Sequence, residues 1–167
     1  MSAVTPAVFY EDPKAALAWL EKAFGFEISM LVTDEEGKLA HSTVSWKGAE
    51  ISVGAPFVAP ELIGAAKIAS PRTLSGAVTQ FLRIEIEEGI DAHCERARAA
   101  GARITQEPAD QFYGARVYRA LDPEGHVWTF HQEIAEVSAE AAKAGEGLTI
   151  REYPNRPNSS PQKEPIR

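Results

Sequence analysis

Asp122-Pro123-Glu124-Gly125-His126-Val127-Trp128-Thr129-Phe130-His131-Gln132 is the stretch on which the fold turns. Asp-Pro-Glu-Gly is a tight-turn sequence. Proline presets φ at the second turn position, and glycine tolerates the positive φ often needed near the end. An apolar, β-prone run follows. Trp128 and Phe130 fall on one strand face, and Val127, Thr129 and His131 on the other. The run before it, Ala115 to Leu121, also reads as a strand. The unit is a hairpin.

Working outward, the same order of elements occurs twice. In the first half a strand covers Val4 to Tyr10, and Asp12-Pro13 starts a helix with Asp as N-cap and Pro at the first helical position. The helix, Lys14 to Phe24, carries Leu17, Leu20 and Phe24 on one stripe with Trp19 beside it. Gly25 ends it. Three strands follow, Phe26 to Thr33, Lys38 to Trp46 and Ala49 to Ala55, joined by turns at Asp34–Gly37 and Lys47-Gly48. In the second half a strand over Gln80 to Glu87 precedes a helix over Asp91 to Ala100 ended by Gly101. Then come a strand from Ala102 to Glu107, a loop from Pro108 to Tyr113, and the opening hairpin. Each half reads β-α-β-β-β. Gly25 and Gly101, and also Ile28 and Ile104, are 76 positions apart, and Gly48 and Gly125 are 77 apart. Landmarks at a near-constant offset are what tandem duplication produces.

The expected fold class is therefore α+β, with two tandem βαβββ modules. The expected organisation is a first module over 1–55, a linker over 56–77, a second module over 78–133, and a C-terminal helix and flexible tail over 134–167. Pro56 to Gly76 is long for an internal connection and carries a candidate helical turn near Pro60 to Ala66. Glu136 to Gly147 reads as an Ala-rich helix, and from Tyr153 on Pro, Asn, Ser and Lys dominate.

Composition narrows the function classes. The 167 residues hold 17 Lys and Arg against 24 Asp and Glu, a net charge of −7. That disfavours nucleic acid and anionic membranes as partners, since both call for a basic face. No apolar run reaches the roughly 18 residues of a membrane span, and the N-terminus lacks a signal-peptide pattern. The single cysteine, Cys94, precludes an intrachain disulfide and a thiolate metal cluster, and reads as a helix-packing residue. A cytoplasmic location is expected.

Asp12-Pro13-Lys14-Ala15-Ala16 leading to Phe24-Gly25-Phe26, Asp91-Ala92-His93 leading to Ala99-Ala100-Gly101-Ala102, and Asp122-Pro123-Glu124-Gly125-His126 with Trp128 together resemble the vicinal oxygen chelate superfamily, the glyoxalase, bleomycin-resistance and extradiol-dioxygenase group. The resemblance covers about residues 4 to 133. It implies curved mixed sheets that close around a cavity, glyoxalase/bleomycin resistance-like, and a homodimer, often with modules paired across chains. It also implies a metal question, because metal-using members supply a His or Gln from the first strand of each module and a Glu from the last. In this sequence the corresponding positions are Pro6, Phe81 (or Gln80), Ser52 and Thr129. The expected constellation is largely missing. Glu50, Gln80, His41 and His131 rebuild a site only in another register.

Strand alternation supplies a candidate cavity face. Thr129 and His131 face it if Trp128 and Phe130 pack on the helices. Glu50 and Ser52 face it opposite Ile51 and Val53, and Arg83 and Glu85 face it opposite Leu82, Ile84 and Ile86. His41 and Tyr118 are added from strands with weaker alternation, and Tyr113-Gly114 as a lid. Arg83 beside Glu85 also reads as an ion pair, and His126 as a structural hydrogen bond to the hairpin. Three functions compete. The favoured one is a protein without metal or other cofactor that holds a small aromatic or cationic molecule between modules. The second is a metal-dependent lyase, isomerase or dioxygenase with a non-standard site. The third is a structural or regulatory relative with a collapsed cavity. No Gly-x-Ser-x-Gly, P-loop, dinucleotide fingerprint or His-Glu-x-x-His is present.

Overall fold

The computed structural model describes residues 4–136. The helix expected after Glu136 and the tail lie outside the described residues.

Local chemistry sets the first helix. Asp12 Oδ1 accepts from Ala15 N at 3.0 Å, and Pro13 occupies the first turn of α1, Pro13–Phe24. Gly25 ends it in the left-handed region at φ 76°, its N–H donating to Glu21 O at 3.0 Å. Ala16, Leu17, Leu20, Ala23 and Phe24 form the buried face, the spacing of an amphipathic helix. A four-residue turn, α2, follows much later at Pro60–Ile63. The third helix, α3, Ile90–Ala99, lacks a side-chain cap of its own. Gln132 Oε1 accepts from Ile90 N instead, at 3.0 Å. It buries Ile90, His93, Cys94 and Ala97.

Among the described residues eight strands complete the duplicated order: β1 Ala7–Phe9, β2 Glu27–Thr33, β3 Leu39–Trp46, β4 Ala49–Gly54, β5 Phe81–Glu85, β6 Arg103–Asp110, β7 Ala115–Leu121 and β8 Val127–Glu133. They form two four-stranded sheets, ordered β1-β4-β3-β2 and β5-β8-β7-β6. In each, the first strand runs parallel to the last and the other pairs are antiparallel. The two sheets thus share one topology.

One element departs from expectation. Strand β6 runs on through Pro108 to Asp110, where a loop was expected. It is an edge strand, and its register slips between Gln106 and Ala109. A proline is tolerated at an edge or bulge because no ladder bond is asked of its nitrogen.

The core is shared by both modules. Phe24 meets Trp128 at 5.4 Å and Phe130 at 4.7 Å between ring centroids, and Phe26 meets Trp46 at 5.7 Å and Trp128 at 5.5 Å. Each fully buried ring of this kind contributes roughly 1.5–3 kcal/mol. Trp19 Nε1 donates to Ala100 O at 2.7 Å, and Trp46 Nε1 to Glu85 O at 2.9 Å. Helices and aromatic faces therefore pack together, and the opposite sheet faces point outward. Cys94 is fully buried and burial pushes its thiol up to about 11, which suits packing rather than reactivity.

The hairpin turn doubles as a clamp. Glu124, itself buried, accepts from Glu11 N at 2.8 Å, Asp12 N at 3.2 Å and Ser70 Oγ at 2.5 Å. One carboxylate thus ties the turn of the second module to the start of α1 and to the connection before β5. That connection holds the turn α2 and a 3-10 turn at Pro71–Thr73, and Phe57 and Ile68 pair within it as an isolated bridge.

Candidate functional site

Sheet register decides which side chains share the outward face. In the second module Arg83 lies beside Thr129 and Glu85 beside His131. Thr129 also faces Arg119, and His131 faces Val117. Trp128 and Phe130 point the other way, into the core. In the first module Ser52 lies beside Thr43 and Ala7, and Glu50 beside Ser45.

Two clefts open on these surfaces and share Arg83. The first, of about 600 Å³, lies over β5, β7 and β8 and is lined by Arg83, Tyr113, Ala115, His131, Glu133 and neighbouring residues. The second, of about 450 Å³, lies at the junction of the modules and includes Trp46, Glu50, Arg83 and Glu85. Five of the expected site residues, Glu50, Arg83, Glu85, Tyr113 and His131, therefore line one cleft or the other. Glu50 and His131 line different clefts and do not converge.

The polar centre is a cation on a histidine. Arg83 Nη2 lies 2.5 Å from His131 Nε2. A guanidinium only donates, so His131 Nε2 accepts and its proton sits on Nδ1. His131 is 4% exposed, and among the described residues Nδ1 has no hydrogen-bond partner. Thr129 is 5% exposed, and its Oγ1 is likewise without a partner. The expected Arg83–Glu85 ion pair does not form. Among the described residues Arg83 makes no salt bridge.

The remaining expectations are corrected or refined by the register. Tyr118 sits opposite Phe130, on the helix face, and is fully buried. Its hydroxyl lies 2.6 Å from His93 Nδ1, and burial holds it well above the usual tyrosine range. It does not face either cleft. Along β7 apolar residues occur on both faces, so alternation alone could not orient it. His41 is exposed beside Val32, near the far end of β3, and lines neither cleft. Ser52 is half-buried and lines neither cleft. Tyr113 and Gly114 line the first cleft. His126 is buried at the turn, its ring tilted against Tyr10 at 4.4 Å between centroids, with Nδ1 3.1 Å from Asp122 Oδ2 but out of line for a hydrogen bond.

The residues standing where the superfamily resemblance puts metal ligands do not suit a divalent cation. Ser52 and Thr129 offer hydroxyls, and Pro6 and Phe81 offer no side-chain donor. Gln80 Nε2 is bonded to Ala7 O at 2.7 Å. The Arg83 cation lies in the same region, beside Thr129. Among the described residues no group of three or more His, Cys, Asp and Glu side chains is placed to hold a metal.

Comparison with known proteins agrees with this architecture. The sequence profile of the Glyoxalase/Bleomycin resistance protein/Dioxygenase superfamily matches residues 3–130. The chain belongs to this superfamily. It is 29% identical over 143 residues to an uncharacterized protein of Mycobacterium tuberculosis, a match spanning 85% of this chain and 81% of that one. Among solved structures, TioX from Micromonospora sp. ML1 is similar at 26% identity and a TM-score of 0.59, covering 82% of this chain and all of that one. The fosfomycin resistance protein FosX of Listeria monocytogenes, solved with manganese and sulfate, shares the fold at 15% identity and a TM-score of 0.57, over 86% of this chain and 95% of that one. Among the described residues no helix is long and apolar enough to cross a membrane.

What sequence reasoning missed at the site is the role of Arg83 as the shared residue of two clefts, and Glu133 on the cleft wall. Alternation from His131 would have found Glu133, two positions on along β8.

Proposed function

We propose that this superfamily member is a metal-free protein that binds a small molecule in the clefts meeting at Arg83. The observation that carries the reading is the Arg83–His131 hydrogen bond at 2.5 Å. A guanidinium fixed on the imidazole takes up the nitrogen that a metal would need, and it repels a cation nearby. The donor-poor Ser52 and Thr129 at the ligand positions support the same reading. Tyr113 on one side and Trp46 on the other offer apolar ring surface to a planar ligand.

The reading includes a homodimer in a reducing cytoplasm. Met30, Leu31 and Val32 of β2, with Phe81, Phe112 and Tyr113, are exposed, and apolar surface of this extent favours a covering partner. A second copy would cover it with the matching outward faces of its own modules. Light scattering after gel filtration is expected to give twice the 18.1 kDa chain mass.

Metal analysis tests the central claim. Protein purified without a His-tag and incubated with Ni, Zn, Fe or Mn, then desalted, is expected to retain none. About one equivalent per chain, lost in His131→Ala or Glu50→Ala, would move the protein to the metal-dependent lyases and dioxygenases.

A further inference from the structure

Two donor-bearing side chains meet in the first cleft, Arg83 and His131. Arg83 places one guanidinium nitrogen on His131 and, among the described residues, has no carboxylate partner. His131, more than nine-tenths buried, lines the cleft, and its buried Nδ1 has no hydrogen-bond partner among the described residues. Two other arginines are held by carboxylates, whereas Arg96 donates to the Ala23 carbonyl and Arg119 to the Gln106 side chain. Arg116 holds Asp91 and Asp110, and Arg98 holds Glu107 and Glu95. Buried donors are almost always satisfied in folded proteins, so an orphan beside an unpaired cation marks a place where an acceptor is missing.

We propose that this cleft takes an organic anion, its carboxylate or equivalent oxyanion set against the Arg83 guanidinium. The inference rests on the small-molecule-binding reading above and names the ligand class for the same site. It runs against the net charge of −7, which favours cationic ligands at long range. At contact distance the local group decides, because solvent and salt screen the rest of the chain. Glu133 and Glu136 also line the cleft. Glu133 is exposed, where water screens its repulsion of the anion. A planar guanidinium fork matches two carboxylate oxygens at once, which gives direction as well as attraction. His131 is a positioning residue, because its Nε2 accepts from Nη2 and aims the rest of the fork into the cleft.

The test uses matched aromatic probes that differ only in charge: sodium benzoate and 2-naphthoate, their neutral amides, and the corresponding aminomethyl cations. Binding to the full chain is read by isothermal titration and by thermal shift at low and high salt. The carboxylates are expected to bind, more weakly at high salt, and the amides and amines not to. Arg83→Gln is expected to weaken carboxylate binding roughly tenfold or more, with an unchanged circular dichroism spectrum. His131→Gln, whose amide oxygen can still accept, is expected to keep most of the binding that His131→Leu loses. Carboxylate binding that survives Arg83→Gln unchanged would overturn the proposal. Preferential binding of the amines or amides would overturn it too, while leaving the binding reading in place. If none of the probes binds at any charge, both fall.

Discussion

Tyr10 and Asp122, 112 positions apart, share a buried hydrogen bond of 2.7 Å that joins the end of the first strand to the turn of the last hairpin. Asp122 also accepts from Trp128 Nε1 at 3.0 Å and, through Oδ1, from the backbone N–H groups of Glu124, Gly125 and His126. One carboxylate therefore shapes the turn, fixes the Trp128 ring and fastens the two modules.

Asp122→Asn is expected to cost about 3 kcal/mol, because it removes a charge whose hydrogen bonds are inside the protein. Tyr10→Phe should cost about 1–2 kcal/mol, since only one of those bonds is lost. Urea denaturation measures both. Burial pushes the Asp122 carboxyl up, but the His126 ring and the Trp128 and Tyr10 donors outweigh it and hold it below the usual range. A carboxyl lowered on folding adds stability above its unfolded value and loses it in more acid solution. The wild type should thus lose stability below about pH 4 more steeply than Asp122→Asn. Parallel acid limbs would reject the assignment.

His93 lies at the centre of the shared core. Nε2 must donate to the Phe24 carbonyl at 2.9 Å, so Nδ1 accepts from Tyr118. Burial, against the opposing pull of the Phe24 carbonyl, holds its pKa below the usual histidine range, and the charge of Arg96 adds to the lowering. The unfolded chain then takes up a proton that the folded one refuses. Stability should be full above about pH 6.5 and fall as the pH drops below it. His93→Gln is expected to lose about 2–3 kcal/mol at pH 8 and to flatten that slope. An unchanged slope between pH 7 and pH 5 would point to another group.

Gly25 is constrained twice. Its φ is 76°, and a Cβ there would stand 2.5 Å from Arg96 Nη2. Arg96 Nε donates to Ala23 O at 3.2 Å, so the arginine is needed where it is. Gly25→Ala should cost about 2 kcal/mol from backbone strain and displacement of Arg96. Arg96→Ala in the same chain should recover part of the loss in thermal melts. Equal melting temperatures for Gly25→Ala and the double variant would show that the contact does not matter.

Thr129 is the opposite case. Its buried hydroxyl has no partner among the described residues, and valine has the same shape. Thr129→Val is expected to be neutral or to stabilise by up to about 1 kcal/mol. A loss greater than that would mean that the hydroxyl is satisfied in solution.

Much of the fold was legible because its signals are local. Asp12-Pro13 and Gly25 bound α1 through capping chemistry, and the near-constant spacing of Gly25 with Gly101 exposed the duplication. Alternation correctly put Thr129 and His131 on the face away from Trp128 and Phe130, because only one side of β8 carries large rings. It failed at Tyr118, where β7 is apolar on both faces. It failed also at Pro108, where the sequence does not reveal that β6 is an edge.

The sequence by itself determined the two βαβββ modules, their caps and turns, and the identities of Pro6, Ser52, Phe81 (or Gln80) and Thr129 where the resemblance puts metal ligands. These follow from residue identity and short-range periodicity. Tertiary structure decided everything that depends on which strand lies beside which. Parallel pairing of β5 with β8 brought Arg83, 48 positions away, onto His131, and packing of both modules on one helix layer brought Tyr10 to Asp122. Such contacts arise only when the apolar faces have closed on each other, so their chemistry cannot be read from neighbours in the chain.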